Sequence, residues 1–539
     1  MIVPWIDHLI VAPILLPLLA GAAILLLKEK RQLVRRAVAL GTAAVLLVIA
    51  VLLIARVAAA GYSGQAATTA YMLGNWPAPF GIVLVLDWLS ALMLLLTSIL
   101  GLTSLIYATA RWDRAGPRFH ALFLFQLMGL NGAFLTGDLF NLFVFFEVLL
   151  AASFALLLHG TGKARVKAAL HYVSLNVATS LLFLIGAAII YGVTGTLNMA
   201  DLAVRIPAIA GSDLAILQSG MAILGVAFLV KAGMWPLGFW LPRTYAAAAP
   251  PVAALFSILS KVGVYAVLRV YLLLLGGDVG WTANFGEEWL LFGGMATIAF
   301  GTVGVLAART MSRIAGYSLV ISAGTLLAGI GAGEGAVLAG ALFYLTSSTL
   351  AVSAFYLLVE LVERREAGSA TAGAPVFDDE YSGLPDQVET EVRVVIPATM
   401  AILGSGFAFC TLLIAGLPPL SGFIAKFVII DGLLGLGDAI APATWALIAL
   451  IIGSGLATLV STTRAGIDLI WAPSDKPQPV LRVAEAVPVA LLLLICMGLM
   501  VLAAPTMRYM ERTGQSLGDR QGYTRAVLGG GDASNGPRP

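Results

Sequence analysis

Apolar runs of about 20 residues recur from one end of the chain to the other, separated by short polar or charged stretches. Each run is long enough to cross the hydrocarbon core of a bilayer as a helix. The pattern predicts fourteen spans, centred near residues 18, 45, 95, 128, 148, 180, 227, 263, 298, 321, 349, 415, 452 and 494. Backbone polar groups facing lipid must be satisfied within their own segment, so the spans are read as helices. A membrane barrel would show short alternating segments instead, and none stands out. The fold class expected is an all-α membrane protein with about 14 transmembrane helices.

Composition sharpens this reading. The chain is 60% hydrophobic and 11% charged, against about 25% charged in soluble domains. A soluble protein is excluded, and nucleic acid is not expected as a partner. The net charge of +2 carries little information, because the charges sit in loops. The opening stretch "MIVPWIDHLIVAPILLPLLAGAAILLL" lacks a basic leader, carries Asp7 and is too long in its apolar part for a signal peptide. It is read as a retained first helix. Cys410 and Cys496 both fall in apolar spans, so neither a disulfide nor a metal site is read from them. No cofactor motif is present: no cysteine cluster, phosphate-binding loop or glycine-rich dinucleotide fingerprint.

Lysine and arginine fall on alternate loops. One set of loops carries 20 of the 31 basic residues, whereas the opposite set has only Arg56 and Arg205 before the C-terminal tail. The basic set should be cytoplasmic, which puts both termini outside. The tail, with five arginines, runs mildly against that orientation and is expected to be polar and partly disordered. Residues 57–81 are expected as an external loop. Residues 364–393 are the longest internal loop, acidic enough to dock a partner but read first as a solvated connector. Trp76, Trp281 and Trp289 suit an aromatic belt at the membrane surface.

Four charges lie at the wrong depth. Lys231, Lys261, Lys426 and Glu147 each fall near the middle of a span. A charge at the bilayer centre costs about 2.5–3.5 kcal/mol even on lenient scales, so these residues should face the bundle interior and be paired or hydrated. Three lysines against one glutamate is not the balance of a purely structural pairing. Lysine is also a residue whose proton affinity a buried site readily adjusts, which makes the group a candidate for proton transfer. Glu147 is the acid expected to hold Lys231 in its protonated form. Arg269, near a helix end, is expected to snorkel outward. His120, His159 and His171 sit near helix ends and are read as solvated interfacial residues, with a possible proton-entry role for His159 or His171. Asp87 is read as structural, near the outer surface.

Two spans are too long for one straight crossing. Residues 214–241 contain "GMWPLGFWLP" and residues 397–435 contain "GLPPLSGFIAK". Proline removes a backbone donor and clashes with the preceding turn, and glycine permits the bend. Helices 7 and 12 are therefore expected to be discontinuous, broken at Gly233 and Pro236 and at Pro418, Pro419 and Gly422. Paired broken helices in corresponding halves point to an inverted-repeat transporter with a hydrated site at mid-membrane. The breaks share a wording, Pro236-Leu237-Gly238-Phe239 against Pro419-Leu420-Ser421-Gly422-Phe423.

Three stretches carry a family resemblance: "TGDLFNLFVFFEVLLAASFALLLHG" (136–160), "VKAGMWPLGFWLPRTYAAAAPPVAALFSILSKVGVYAVLR" (230–269) and "LIAGLPPLSGFIAKF" (413–427). They resemble the antiporter-like subunits shared by respiratory complex I, membrane hydrogenases and Mrp-type cation/proton antiporters, over roughly residues 80–465. The form "GFWLPRTYAAAAPPV" is most similar to that of the D-type Mrp subunits. The resemblance implies fourteen helices and two inverted five-helix repeats, with residues 1–110 before them, 111–276 and 277–463 as the repeats, 464–505 as a loop and helix 14, and 506–539 as the tail. It implies that Glu147, Lys231, Lys261 and Lys426 form a proton-translocation route. It further implies a multisubunit complex with Mrp partners A, B, C, E, F and G in a bacterial inner membrane, exchanging Na⁺ or K⁺ for H⁺ as a secondary transporter rather than an enzyme. Many relatives carry a His or Lys on helix 11, but here the text reads "ALFYLTSSTLAVSAFYLL". The step between Lys261 and Lys426 is then expected to use hydroxyls and water, with Tyr344, Thr346, Ser347 and Ser348 as candidates. The alternative reading is a proton-pumping component of a complex I-like or hydrogenase redox complex.

Overall fold

A computed structural model describes residues 5–28, 30–276, 285–333, 335–363, 398–435, 441–467 and 481–529. The acidic loop 364–393, Lys476 and Trp281 lie outside them.

The chain is mostly helical. The first part holds α1 (Ala12–Leu26), α2 (Gln32–Tyr62), a hairpin of β1 (Thr69–Met72) and β2 (Val83–Leu86), and α3 (Trp88–Ala108). Next come α4 (Phe119–Leu135), α5 (Leu139–Leu157), α6 (Lys163–Thr194), the short α7 (Met199–Arg205), α8 (Ser212–Ala232), α9 (Leu241–Ala247) and α10 (Pro250–Val270). They are followed by α11 (Glu287–Ala307), α12 (Met311–Gly331), α13 (Ala336–Glu363), α14 (Ala398–Ala415), α15 (Ser421–Leu434) and α16 (Pro442–Gly466). The chain closes with α17 (Val483–Val501), α18 (Ala503–Gly518) and α19 (Arg520–Leu528). Among the described residues, eleven helices are long and apolar enough to span a membrane, and α1, α4 and α14 are shorter apolar helices. Each predicted span centre falls inside one of these fourteen.

The bundle has a clear inside. In α10, α12 and α13, 94% of the spanning window is buried, whereas in α6, α8, α11, α16 and α17 less than half of it is, the rest forming an apolar outer ring. A helix that is apolar all round belongs in the interior. α11 and α12 approach closely because Gly294, Gly301, Gly324 and Gly331 leave no room for a side chain against the facing helix, the small-residue packing typical of membrane helices.

Three features depart from the sequence reading. The stretch expected as a plain loop contributes β1, which pairs antiparallel with β2, Thr69 opposite Leu86 and Met72 opposite Val83. "VLVL" is buried at all four positions, and a short apolar run abutting a helix cannot be told from a helix extension by periodicity. The first part of the tail, expected to be polar and partly disordered, forms two helices, α18 and α19, up to Leu528, whereas its Gly-rich end, residues 530–539, lies outside the described residues. α18 buries Met510, Thr513 and Leu517; the Tyr509 hydroxyl donates to the Trp88 carbonyl at 2.8 Å. In α19, Arg520 donates to the Leu273 carbonyl at 2.6 Å. Its apolar face is too sparse to register in hydropathy, yet it is enough to dock on a preformed surface.

The third departure is Arg269. It does not snorkel: only 4% of it is exposed. Its guanidinium grips Asp87 with both forks, at 2.5 and 2.9 Å. Asp87 caps α3, accepting from the Ser90 amide at 2.9 Å, and the Tyr523 ring of α19 lies 5.6 Å from the guanidinium. The carboxylate supplies the counter-charge that water would have supplied at the surface. Removing one partner strands the other, which costs about 3–5 kcal/mol, whereas replacing both with apolar residues does not. Asp87→Ala should therefore lower the thermal midpoint of the detergent-solubilised protein markedly, and the double variant Asp87→Leu/Arg269→Met should recover most of the loss. Equal losses in single and double variants would refute the coupling.

Candidate functional site

The site is built on two interrupted spans. α8 ends at Ala232, Gly233 takes φ +82° and the chain does not resume a helix until Leu241. α14 ends at Ala415, Gly416 takes φ +76° and α15 begins at Ser421. Both ends close in the same way: the Met234 amide donates to the Leu229 carbonyl and the Leu417 amide to the Leu412 carbonyl, each at 3.0 Å. This is the six-to-one bond that a left-handed glycine makes at a helix C-terminus. Pro236 and Pro419 each follow that glycine by three residues. The freed Trp235 amide is taken up by the Thr297 hydroxyl of α11 at 2.9 Å.

Lys426 reaches from α15 back to the last carbonyl of α14, donating to Ala415 at 2.9 Å. A helix C-terminus offers unpaired carbonyls and partial negative charge, so an ammonium group is stabilised there. Side chains at Gly416 or Gly455 would meet Lys426 within 3.1 Å, so these two glycines shape its pocket. Lys261, on α10, is fully buried and donates to the Ser322 hydroxyl of α12 at 2.7 Å. Ser322 in turn meets Ser348 of α13 at 2.9 Å. The neighbouring Ser347 points elsewhere and meets Ser421, the first residue of α15, at 2.8 Å. The two hydroxyls expected from "YLTSST" therefore face two different partners, one toward Lys261 and one toward the helix that carries Lys426. Tyr344 lies in reach of Ser322 and Thr325. The Thr346 hydroxyl is spent on the Leu342 carbonyl of its own helix.

Lys231 differs from the expectation. It is not held by a direct ion pair with Glu147. Its ammonium lies 5.3 Å from the centre of the Phe146 ring, in the cation–π range. The Glu147 carboxylate accepts instead from the Ser180 hydroxyl of α6, and acts on Lys231 only through space. Two residues in one turn of α5 thus share the work, the ring taking the cation and the serine taking the anion. Lys231 also borders a small cavity with Tyr172, Asn176, Trp240 and Tyr245. The buried Trp240 Nε1 and Tyr245 hydroxyl in its wall have no protein partner, which makes the cavity one that suits water. α10 comes up against this point: a side chain at Gly263 would sit 2.2 Å from the Ala232 nitrogen. Among the described residues no side-chain hydrogen bond joins Lys231 to Lys261; Leu259 and Val262 stand beside the cavity.

Ser180, Ser322 and Ser421 were not singled out by sequence reasoning. A serine in an apolar span bonds more often to its own helix, as Ser318 does, and nothing in the one-dimensional pattern separates the two uses.

The histidines sort differently from the expectation. His171 is exposed and bonds within its own helix. His159 and His120 are buried, not solvated. His159 Nε2 lies 2.8 Å from the Trp112 carbonyl, and Arg165 spans the same corner, donating to the carbonyls of Ala247, His159 and Thr161. The guanidinium groups of Arg111 and Arg165 lie 5.2 and 5.5 Å from the centre of the Trp112 ring. His120 meets Asp113, which also accepts from Arg36. These contacts tie the basic loops after α3 and α5 into a collar rather than placing either histidine on the lysine row.

The family described as NADH:quinone oxidoreductase/Mrp antiporter, transmembrane, matches residues 136–454. A D-type component of a probable K⁺/H⁺ antiporter from Rhizobium meliloti is 52% identical, with 95% of this chain and 96% of the relative covered. A D-type component of a Na⁺/H⁺ antiporter from Alkalihalophilus pseudofirmus is 33% identical, with 97% and 99% covered. Among solved structures, a chain of the Mrp complex from Dietzia sp. superposes with a TM-score of 0.81 at 25% identity, covering 97% of this chain and 100% of that one. A chain of respiratory complex I from Thermus thermophilus superposes with a TM-score of 0.75 at 22% identity, covering 95% and 99%, a likeness of fold.

The collar should respond to pH. Burial holds the His159 imidazole below the usual histidine range. Below about pH 6.5 the opened chain takes up a proton that the closed collar refuses. The collar is therefore at full strength above that pH and weakens as the pH falls. Amide hydrogen exchange at residues 109–118 and 158–166 should quicken between pH 8 and pH 5.5, after correction for intrinsic rates. His159→Gln, which keeps a donor for Trp112 but does not titrate, should flatten the response; an unchanged response would show that another group sets it.

Proposed function

The chain belongs to the NADH:quinone oxidoreductase/Mrp antiporter transmembrane family, and from that membership we propose that it is the proton-translocating component of a multisubunit monovalent cation/proton antiporter. The exchanged cation is Na⁺ or K⁺, in keeping with the names of the relatives. The complex is of the Mrp type, with A, B, C, E, F and G partners, in a bacterial inner membrane. The basic loops face the cytoplasm and both termini lie outside, as the charge asymmetry of the loops supports.

The observation that carries the proposal is the alternation of ammonium groups and hydroxyls through the bundle interior. Lys261, Ser322 and Ser348 form one bonded set; Ser347 and Ser421 form a second, on the helix whose Lys426 sits at the broken end of α14. Glu147 and Lys231 stand at the other end of the row, coupled through space beside a cavity that suits water. A proton entering at Lys231 moves to Lys261 through water, to Ser322 and Ser348 along preformed bonds, and across α13 to Ser347, Ser421 and Lys426. Displacing Glu147 toward or away from Lys231 changes the stability of the ammonium form and drives the first step; one pKa unit of such a change is about 1.4 kcal/mol. A row of lysines repels metal cations, so this chain is assigned the proton. The reading as a pump component of a redox complex rests on fold likeness, whereas the 52% identity is to a relative named as part of an antiporter.

The test is cation-driven proton movement in vesicles containing the whole assembly, followed with a pH-sensitive dye. Glu147→Gln, Lys231→Ala and Lys426→Ala should each slow exchange by about a hundredfold, the scale of losing a positioned proton-transfer group, with assembly intact. Ser347→Ala combined with Ser348→Ala should slow it as well, and Ser347→Thr should retain it. Normal exchange in the Lys231→Ala complex would remove the transport role and reduce the chain to a scaffold.

A further inference from the structure

Lys28, Arg35 and Arg118 line a cavity of about 280 Å³ in the corner where the end of α1 meets the starts of α2 and α4. The rest of its wall is the last turn of α1 with Leu27, and α1 packs against both neighbours. Other arginines on the same side of the bundle have acidic partners: Arg36 holds Asp113 and Arg111 holds Glu360. Lys28, Arg35 and Arg118 pair with no carboxylate among the described residues. Arg35 is anchored instead by the Leu27 carbonyl at 2.5 Å. In sequence, Glu29 is the one acid among the five cations from Lys28 to Arg36.

Two of these cations stand where a helix repels them. Arg35 is in the first turn of α2 and Arg118 immediately precedes α4; neither helix has an acidic residue in its first turn or a side-chain cap. A helix N-terminus carries unpaired amides and partial positive charge, so it favours an anion and disfavours a cation. Two such ends and three cations in one corner leave positive charge that the described residues do not balance. The corner also opens toward the bilayer. Leu19 and Leu26 are 65% and 88% exposed, and with Leu15 and Ala22 they form one exposed stripe along α1, at spacings of four, three and four residues. The stripe ends two residues before Lys28. An apolar track that leads into a basic pocket suits a molecule with an acyl chain and an anionic head better than a free ion.

We propose that this corner binds the headgroup phosphate of an anionic phospholipid, from the leaflet on the side of the Lys- and Arg-rich loops, with an acyl chain lying along the stripe from Leu26 to Leu15. Lys28 and Arg118 supply the charge that selects the phosphate, and Arg35, fixed by Leu27, adds to it. The bound phosphate offsets the cations at the two helix starts and so joins α1 and α2 to α4 where their side chains otherwise repel. The site lies apart from the lysine row and does not depend on the proton route.

The test uses the full assembly in vesicles of equal parts phosphatidylglycerol and phosphatidylcholine. Leu26, at the mouth of the pocket, is replaced by the photoreactive residue benzoylphenylalanine, and the lipid captured on illumination is identified by mass. Val166, 45% exposed beside Lys163 and Lys167 on α6, takes the same probe and reports the general attraction of a basic surface. The ratio of phosphatidylglycerol to phosphatidylcholine captured at Leu26 should exceed that at Val166 by at least about fivefold, the effect of one further lysine or arginine at a membrane surface. Lys28→Gln combined with Arg118→Gln, which spares the bond between Arg35 and Leu27, should bring the ratio down to that at Val166, and either single variant should lower it. Equal ratios at the two positions, an excess that survives the double variant, or capture of a neighbouring subunit at Leu26 would each overturn the site. Inorganic phosphate added in excess at fixed ionic strength should leave the ratio unchanged; if it erases the excess, the corner takes free phosphate and the lipid site is wrong.

Discussion

A charge in the middle of a membrane has to be solvated by something other than bulk water, and the interior of this protein is arranged around that requirement. Each mid-membrane ion is met by a different chemistry. Lys426 takes the carbonyl that a broken helix leaves free; Lys261 takes a serine hydroxyl; Lys231 takes the face of Phe146; Glu147 takes the Ser180 hydroxyl. Among the described residues none of the four is neutralised by direct contact with an opposite charge, whereas Arg269 and Asp87 are. Under the proposed function, that division separates two roles. A tight bidentate pair is stable because it holds both charges in place, which serves structure. A charge resting on dipoles and a ring can lose or gain its proton without stranding a counter-ion, which serves transfer.

The breaks in the two long spans follow from the same need. An unbroken helix consumes its own carbonyls and has nothing to offer an ammonium group. Interrupting it at Gly416 frees the Ala415 carbonyl, and the left-handed conformation of that glycine lets the chain close off the remaining groups by the Leu417 bond. Gly416 and Gly455 then serve a second purpose, since a methyl at Gly416 would press on the Lys426 side chain at 2.8 Å and one at Gly455 would meet the Ala415 carbonyl at 2.5 Å and the ammonium at 3.1 Å. The break at Gly233 uses the same closure but a different beneficiary: its freed amide goes to Thr297, and Lys231, two residues earlier, turns to Phe146 instead. Shared local geometry therefore does not give the two lysines equal environments.

Much of this could be read from the chain before its shape was known, and the exceptions have a common origin. Hydropathy placed each of its fourteen predicted centres in an apolar helix because the bilayer fixes a helix length. Glycine and proline marked both breaks because their backbone constraints are local, but at the second the left-handed turn falls on Gly416, and Gly422, expected at the break, already belongs to α15. Lys231, Lys261, Lys426 and Glu147 were conspicuous because charge is rare at that depth. What could not be read is partner choice. That Arg269 meets Asp87, 182 residues away, and that Lys231 meets Phe146 rather than Glu147, depend on how helices distant in sequence are rotated against one another. The same holds for Ser180, Ser322 and Ser421, whose hydroxyls look like those of any serine that bonds to its own helix. The C-terminal helices escaped notice because their stability comes from docking onto the bundle, not from their own hydrophobicity.

α13 is where these considerations converge. In place of a titrating side chain it presents Ser347 and Ser348, adjacent in sequence and about 100° apart around the helix, each bonded to a hydroxyl on a different neighbour. A hydroxyl is donor and acceptor at once, so each pair relays a proton only by reversing the direction of its bonds, and it stores no charge between events. In the proposed route the two halves of the row are then joined when the Ser347 and Ser348 hydroxyls turn together or share a water, and separated otherwise. A lysine or histidine at this point would be a resting place for the proton; two serines make it a crossing. The direction of travel is set by the charges on either side, Lys261 and Lys426, whose loading at one end opposes loading at the other through a low-dielectric interior. On that route a weak link at α13 would keep those two loads distinct, whereas a row that distributed protons evenly along its length could not couple their movement to that of another ion.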